Sequence, residues 1–528
     1  MGVTNHRLKF CLMESSKVKI CVPVCVRHVD QLADIVERAQ EVADIVELRI
    51  DYVEPAEVET ALHEAAALHK TASLPFILTF RSAEQGGARS IAAADRVEFW
   101  LHQSQPGVLN SFPDFADVEL ELLQTEEIRQ QLSSQRLICS HHDFAGGSGD
   151  LEDLYIRMAG TNASILKIAA QAGDATDCIP VFNLMDRARR ESRELIAIAM
   201  GQAGVMTRIL GPSRGSFLTY GALDEDSATA PGQVTARELR EVYRIDSIHR
   251  ETQIMGVIGR PVRHSISPRI HNAAFAQVNI NAVFIPFEVH DLESFIRRMV
   301  RKNSREIEWN LRGIAVTAPH KSAVMKHLDW VEPAAAEIGA VNTIIVQDGG
   351  LRGYNTDAAG FIRPLKNRIA SLAGARCAVI GAGGAARAVV WALRQEGASV
   401  TLFCRDSEKA KAIRDQFEVS CRSLAHATLF DFDIVVNATP LGTRGELETE
   451  TPVIAEQLRG VRLAYDLVYN PLETQFMREA RQAGCETVGG LEMLIAQAVE
   501  QFRLWTGKEP DVESMRDGAK RALNNSGP

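Results

Sequence analysis

Eight short apolar runs, rich in β-branched and aromatic residues, recur through the first part of the chain: Val18–Cys25, Asp44–Asp51, Pro75–Arg81, Phe115–Glu121, Arg136–His142, Ser164–Ala169, Leu195–Met200 and Ser216–Gly221. Between most of them the apolar positions shift to helical spacing, as in Val29–Glu41 and Val58–His69. A βα unit repeated eight times over roughly 230 residues predicts a (β/α)8 barrel, with an open sheet as the alternative. Pro231 and Gly232, then a charged helical stretch at Ala236–Tyr243, lead into a new strand at Ile254–Ile258, which puts a boundary near residue 250. Beyond it the pattern is again α/β, with a strand, loop and helix at Cys377–Arg394 and a helical C-terminal run from Leu491 to Leu523.

A chain of 528 residues exceeds what one hydrophobic core supports, and three domains fit the pattern. The net charge of −10 excludes a broad nucleic-acid surface but leaves room for a small anion held by a few cations. Nine cysteines contain no CxxC pair, and the one close pair, Cys21 and Cys25, lies in an apolar strand-like run, so reduced structural thiols are expected and no metal site. The first residues, MGVTNHRLKFCLM, hold too short an apolar run for a secretion signal, and no 18-residue apolar segment follows. A cytoplasmic location without membrane partners is the expectation, and the pattern sets no oligomeric state.

Barrel chemistry sits at the C-terminal ends of the strands. Glu47, Arg49 and Asp51 close the second run, Arg81 the third and His142 the fifth. Lys167 stands mid-strand in SILKIAA, where a lysine is costly unless its charge is paired or lost. Desolvation and nearby cations such as Arg49 and Arg208 are expected to leave a neutral amine able to form an imine with a ketone. An imine acidifies the neighbouring carbon, and a histidine can then take that proton and protonate a leaving hydroxyl. Either residue alone also fits a structural role: Lys167 snorkelling at a strand end, His142 hydrogen-bonded in place.

The motifs ELRID, TFRS followed by GG, SHHDF, the strand lysine Lys167 and TAPGQ, in this order over residues 16–246, resemble type I 3-dehydroquinate dehydratases. The resemblance implies that Lys167 forms a Schiff base and His142 is the acid/base. It also implies that Glu47, Arg49, Arg81, Arg208, Thr229 and Gln233 surround the substrate.

In the second half, CAVIGAGGAARAVVWAL runs from a strand through Gly381, Gly383 and Gly384 straight into a helix. Such glycines let the backbone approach a pyrophosphate held at a helix N-terminus. The next strand, SVTLFCR, ends in Arg405 rather than a carboxylate, which favours a 2′-phosphate and NADP, while Asp406 beside it pulls towards NAD. Upstream, Ser265 and Ser267, then Thr317 and Lys321, then Asn342 and Asp357, fall on loops. A lysine and an aspartate meeting in a cleft can pass a proton to a carbonyl as hydride arrives, although a plain salt bridge is the alternative.

These loops, with GAGGAAR, NATPLGT, YDLVYNP and GGLEMLIAQA, resemble shikimate dehydrogenases over residues 253–520. The resemblance implies that Ser265, Ser267, Thr317, Asn342, Asp357 and Gln497 hold shikimate and that Lys321 and Asp357 are the catalytic pair. The cofactor would lie on Gly381, Ala382, Gly383, Gly384 and Ala385, with Arg405 and Lys409 at its phosphate. The expected fold is therefore α/β, an N-terminal barrel followed by a two-lobed dehydrogenase with a Rossmann-like NADP domain. Its parts would be a barrel over 16–246, a shikimate lobe over 252–356 completed by helices at 491–523, and the NADP domain over 357–490. The whole chain resembles bifunctional 3-dehydroquinate dehydratase/shikimate dehydrogenases, whose first product, 3-dehydroshikimate, is the second substrate. Two alternatives remain at this stage: an NAD-dependent quinate/shikimate dehydrogenase running oxidatively, and a non-catalytic sensor of pathway metabolites.

Overall fold

All eight expected runs of the first half are strands: β1 (Ile20–Val24), β2 (Ile45–Arg49), β3 (Phe76–Thr79), β4 (Phe115–Glu119), β5 (Leu137–Asp143), β6 (Ile165–Gln171), β7 (Glu194–Met200) and β8 (Thr219–Tyr220). The structure, a computed structural model, describes residues 17–105, 112–132, 136–144, 150–227, 232–347, 349–405, 407–424 and 427–525. It divides into one unit up to Thr252 with Glu306–Glu308, and a second comprising Gln253–Arg305 and Trp309 onward.

In the first unit the strands pair in parallel in the order β7-β6-β5-β4-β3-β2-β1-β8. A bridge between Leu195 of β7 and Ser216, just before β8, brings the two ends of the sheet together, which rules out the open sheet. Side chains two apart along a strand share a face. Ile45, Ile77, Phe115, Ile138, Ile165 and Ile196 accordingly form one apolar layer inside the barrel. Two residues further along, β2 to β6 present Glu47, Thr79, Asp117, Ser140 and Lys167, all buried. Two further still come Arg49, Arg81, Glu119 and His142. The barrel is thus greased below and ionic above.

The second unit contains two sheets. The first has β9 (Gln253–Gly259), β10 (Ala282–Glu288), β11 (Leu311–Val316), β12 (Trp330–Val331), β13 (Thr343–Gln347) and β14 (Gly350–Tyr354), ordered β10-β9-β11-β13-β14-β12 with β13 antiparallel to both neighbours. The second has β15 (Arg376–Ile380), β16 (Ser399–Cys404), β17 (Ser420–Ser423), β18 (Ile434–Asn437), β19 (Leu463–Asp466) and β20 (Glu486–Val488). Its order, β17-β16-β15-β18-β19-β20, is wholly parallel and reverses direction at β15, where such sheets open a crevice for a ligand. The C-terminal helical run is two helices, Gly490–Thr506 and Val512–Asn525. Gly507, at φ 67°, ends the first in the left-handed conformation that glycine adopts at low cost. Both helices pack on the first sheet, where Ile495, Phe502, Trp505 and Met515 join Met255, Val257 and Phe284 in one core.

Candidate active sites

The barrel closes around Lys167. Its Nζ donates to Glu47 Oε1 at 2.9 Å, Asp117 Oδ2 at 2.8 Å and the Tyr220 hydroxyl at 2.7 Å. One layer above, Arg81 donates through Nη1 to His142 Nε2 at 2.7 Å and through Nη2 to Asp117 Oδ2 at 2.7 Å. A guanidinium can donate to an imidazole nitrogen only if that nitrogen is unprotonated. Burial, reinforced by Arg81 and Lys167, holds the His142 pKa well below the ordinary histidine range, in keeping with that bond. Gln85 orients the histidine by accepting from its backbone N–H at 2.8 Å. Arg49 pairs with Asp51 at 2.9 and 2.7 Å and also donates to the Gly86 carbonyl.

The structure thus brings Glu47, Arg81, His142 and Lys167 together, with one change of environment. The expectation was a lysine ringed by Arg49 and Arg208. Its hydrogen-bonded charged neighbours are instead two carboxylates, because β2 and β4 each aim an acid inward at its level of the barrel. Asp117 and Tyr220 went unnoticed in the sequence. Asp117 sits on its strand just as Glu47 does, and the same strand-end rule would have found it.

Arg208 lies on the helix Val205–Leu210 after β7, 3% exposed, and its Nε and Nη1 have no hydrogen-bond partner. Burial draws its pKa down to about 10. Such a group is costly unless an anion comes to it. Gln233 is half-buried two residues before Thr235, whose bridge to Ala222 carries this segment back beside the end of β8. Thr229 lies outside the described residues.

In the second unit a cavity of about 340 Å³ opens between the two sheets. Ser265, Ser267, Thr317, Lys321, Asn342, Asp357 and Gln497 all line it, so residues spread over more than 230 positions of sequence converge. Lys321 Nζ donates to Asp357 Oδ2 at 2.5 Å, and Asn342 Nδ2 donates to Asp357 Oδ1 at 2.7 Å. The aspartate opens the helix Asp357–Lys366, where the backbone dipole favours a negative charge. Tyr469 and Gln501 also face the cavity and were not singled out from the sequence. Tyr469 lies within the quoted YDLVYNP, and Gln501 is one helical turn beyond Gln497.

The glycine loop adjoins this cavity. Gly381 follows β15 at φ 116°, and a Cβ there would meet the Ala438 carbonyl oxygen at 2.8 Å. A Cβ on Gly383 would meet nothing within 4 Å, so the space above it is open. The helix Gly384–Gln395 has no side-chain cap, which leaves its first N–H groups for a ligand. Ala385, in its first turn, lines the same cavity as Lys321 and Asp357. Arg405 is exposed at the end of β16. Asp406 lies outside the described residues, as does the side chain of Lys409. Among the described residues no group of three or more His, Cys, Asp or Glu is placed to hold a metal, and no helix is long and apolar enough to cross a membrane.

A family profile described as Type I 3-dehydroquinase matches residues 20–250. Profiles described as Shikimate dehydrogenase substrate binding domain, Shikimate / quinate 5-dehydrogenase and Shikimate 5'-dehydrogenase C-terminal domain match residues 257–344, 364–447 and 490–517. The chloroplastic bifunctional 3-dehydroquinate dehydratase/shikimate dehydrogenase of Arabidopsis thaliana is 32% identical over 514 residues, 92% of this chain and 82% of the relative. Shikimate dehydrogenase (NADP(+)) of Methanothermobacter thermautotrophicus is 38% identical over 285 residues, 52% of this chain and 98% of the relative. A solved structure of dehydroquinate dehydratase and shikimate dehydrogenase from S. pombe is 25% identical, covers 97% of this chain and 100% of that one, and has a TM-score of 0.43.

Proposed function

Because the chain belongs to the family of bifunctional 3-dehydroquinate dehydratase/shikimate dehydrogenases, we propose that the barrel, residues 16–246, dehydrates 3-dehydroquinate through a Schiff base on Lys167. The observation that carries this is a buried lysine within one hydrogen-bonded network with His142, linked by Asp117 and Arg81. Lys167 attacks the ketone, and the resulting iminium draws electrons from the neighbouring carbon. His142, held neutral, takes the proton there and returns one to the departing hydroxyl. Arg208, buried with unmet donors, takes the substrate carboxylate, with Arg49, Thr229 and Gln233 on its hydroxyls.

The 3-dehydroshikimate so formed is reduced in the second unit. Residues 252–356, with the helices at 491–523, hold it through Ser265, Ser267, Thr317, Asn342 and Gln497, and residues 357–490 hold NADP. The open space above Gly383, the uncapped helix N-terminus and the exposed Arg405 suit a pyrophosphate and a 2′-phosphate. NADPH, when bound, supplies the hydride. Lys321 protonates the carbonyl oxygen, and Asp357, fixed by Asn342, sets the position of the ammonium. A coupled assay tests both halves: 3-dehydroquinate with NADPH should first raise enone absorbance and then consume it together with NADPH. Enone that accumulates without cofactor oxidation would rule out the second step.

Removing the unpaired cation should separate stability from binding. Arg208→Met is expected to raise the melting temperature of the ligand-free barrel while weakening 3-dehydroquinate by about 10²-fold, since charge-assisted bonds contribute roughly 1.5–3 kcal/mol each. Calorimetry and KM check this; a less stable variant with the parent KM would contradict it. Cofactor choice rests on Arg405 against Asp406. Comparing kcat/KM for NADPH and NADH should show that Arg405→Ala erodes the NADP preference by about one to two decades, and that Asp406→Thr sharpens it. A parent that works better with NADH would favour the oxidative NAD enzyme instead.

A further inference from the structure

An ammonium cannot attack a carbonyl, because it has no free electron pair. Lys167 has committed all three of its N–H bonds, to Glu47, Asp117 and Tyr220. One proton must leave before chemistry starts, and the residues around it offer three destinations of unequal merit.

His142 is the least suited, since the three N–H bonds of Lys167 go to other groups. Asp117 is little better, because the oxygen that faces Lys167 is also gripped by Arg81 Nη2 at 2.7 Å and keeps a full cation beside it after the lysine is neutral. Glu47 differs. Among the described residues, its Oε1 receives, besides Lys167, only neutral donors: Thr79 Oγ1 at 3.0 Å and the Tyr220 hydroxyl at 3.2 Å. We infer that Glu47 accepts the proton that Lys167 loses, and that Tyr220 keeps the resulting amine in place.

The electrostatics favour this direction. Burial pushes the Glu47 carboxyl up, and Lys167 is the foremost of the cations that hold it below its usual value, ahead of Arg49 and Arg81. Transfer removes that opposing charge, so the acid becomes easier to keep protonated as soon as the amine forms. Asp117, which also bears on this carboxylate, acts in the same sense, while the neighbouring Cys21 thiol, held up by burial, stays uncharged. Tyr220 suits its part because a hydroxyl accepts from an N–H and can also donate to a lone pair, which an ionised carboxylate cannot. Its ring lies under the same nitrogen, 4.4 Å from Nζ to centroid, and favours the cation before transfer.

The step balances. Nζ passes one proton to Glu47 and keeps two, and its freed pair forms the bond to the ketone carbon while the carbonyl π pair moves to oxygen. One of the two nitrogen protons and the one stored on Glu47 leave with that oxygen as water, giving an iminium with one N–H. Glu47 is then an anion again.

This inference rests on Lys167 being the imine residue, and borohydride labelling of the parent chain tests that point by itself. The further test is rapid-mixing borohydride trapping with 3-dehydroquinate in full-length Glu47→Gln. Imine formation should slow by about 10²- to 10⁴-fold, and the residual rate should climb with pH as solvent hydroxide takes over. Tyr220→Phe should slow it by roughly tenfold. Trapping at the parent rate in Glu47→Gln, with only KM raised, would make Glu47 a substrate contact and overturn the inference. If Glu47→Gln does not fold, Lys167→Met serves. Its infrared spectrum near neutral pH should contain a protonated carboxylic acid band that Tyr220→Phe shifts, and a spectrum with every carboxylate ionised would overturn the inference equally.

Discussion

Lys167→Ala is expected to abolish dehydration while leaving reduction of added 3-dehydroshikimate nearly unchanged. The loss should exceed the ~10²- to 10⁴-fold attached to a single proton-transfer group, because the variant cannot form the covalent intermediate at all. Borohydride added during turnover of the parent should fix the substrate skeleton on this lysine. A label on another residue, or none while dehydration proceeds, would end the Schiff-base assignment. His142→Ala should cost ~10²- to 10⁴-fold yet still allow trapping, since it removes the proton carrier and not the amine. The pH profile follows from the same geometry. A base must be deprotonated to act, and burial, with Arg81 and Lys167, lowers the His142 pKa in the folded chain. The acid limb of kcat/KM for dehydration should therefore fall below the ordinary histidine value of about 6.5. A limb centred at or above that value would count against His142 as the base. Loss of reduction in a folded Lys167→Ala chain would mean that the two halves share one site.

Lys321→Ala should lower kcat for reduction of 3-dehydroshikimate by ~10²- to 10⁴-fold, with a smaller change in KM. The ammonium lies 2.5 Å from Asp357 in a cavity that also reaches the first turn of the dinucleotide helix, so its contribution arises as negative charge develops on the carbonyl oxygen. Asp357→Asn keeps the shape but removes the charge that positions the lysine, and Asn342 would then face an amide where it now donates to a carboxylate. Its effect on kcat should approach that of Lys321→Ala, and the double variant should be little worse than either single change, as expected for residues that act as a unit. Fully additive losses would show two independent groups. Dehydration should be untouched throughout, and steady-state assays of each half-reaction check both points.

Much of this was legible in one dimension. Short apolar runs rich in strand-forming residues, separated by runs of helical period, state strand and helix locally, so eight strands could be read without tertiary information. The glycine loop was legible because a backbone that must turn sharply and admit a pyrophosphate leaves few choices of residue: Gly381 carries a positive φ, and Gly383 has open space above it. Lys167 stood out because an ionisable residue in an apolar strand is expensive. Whether the first sheet closed was not legible, since closure depends on the pairing of β1 with β8 and the bridge from Leu195 to Ser216, partners about 200 and 21 residues apart.

What the sequence by itself determined is the succession of strands and helices and the kind of residue at each strand end. What only the tertiary structure decided is which of those residues meet. Lys167 was expected among cations and lies between Glu47 and Asp117, on strands that close around it from 120 and 50 positions away. Arg208, expected to bear on that amine, stands with donors unmet. Tyr220, Tyr469 and Gln501 look like ordinary core or helix residues until their neighbours arrive. The reason is physical: hydrophobic period is a local property of the chain, whereas the charge a side chain feels depends on distance in space, over about 10 Å, and takes no account of separation along the sequence.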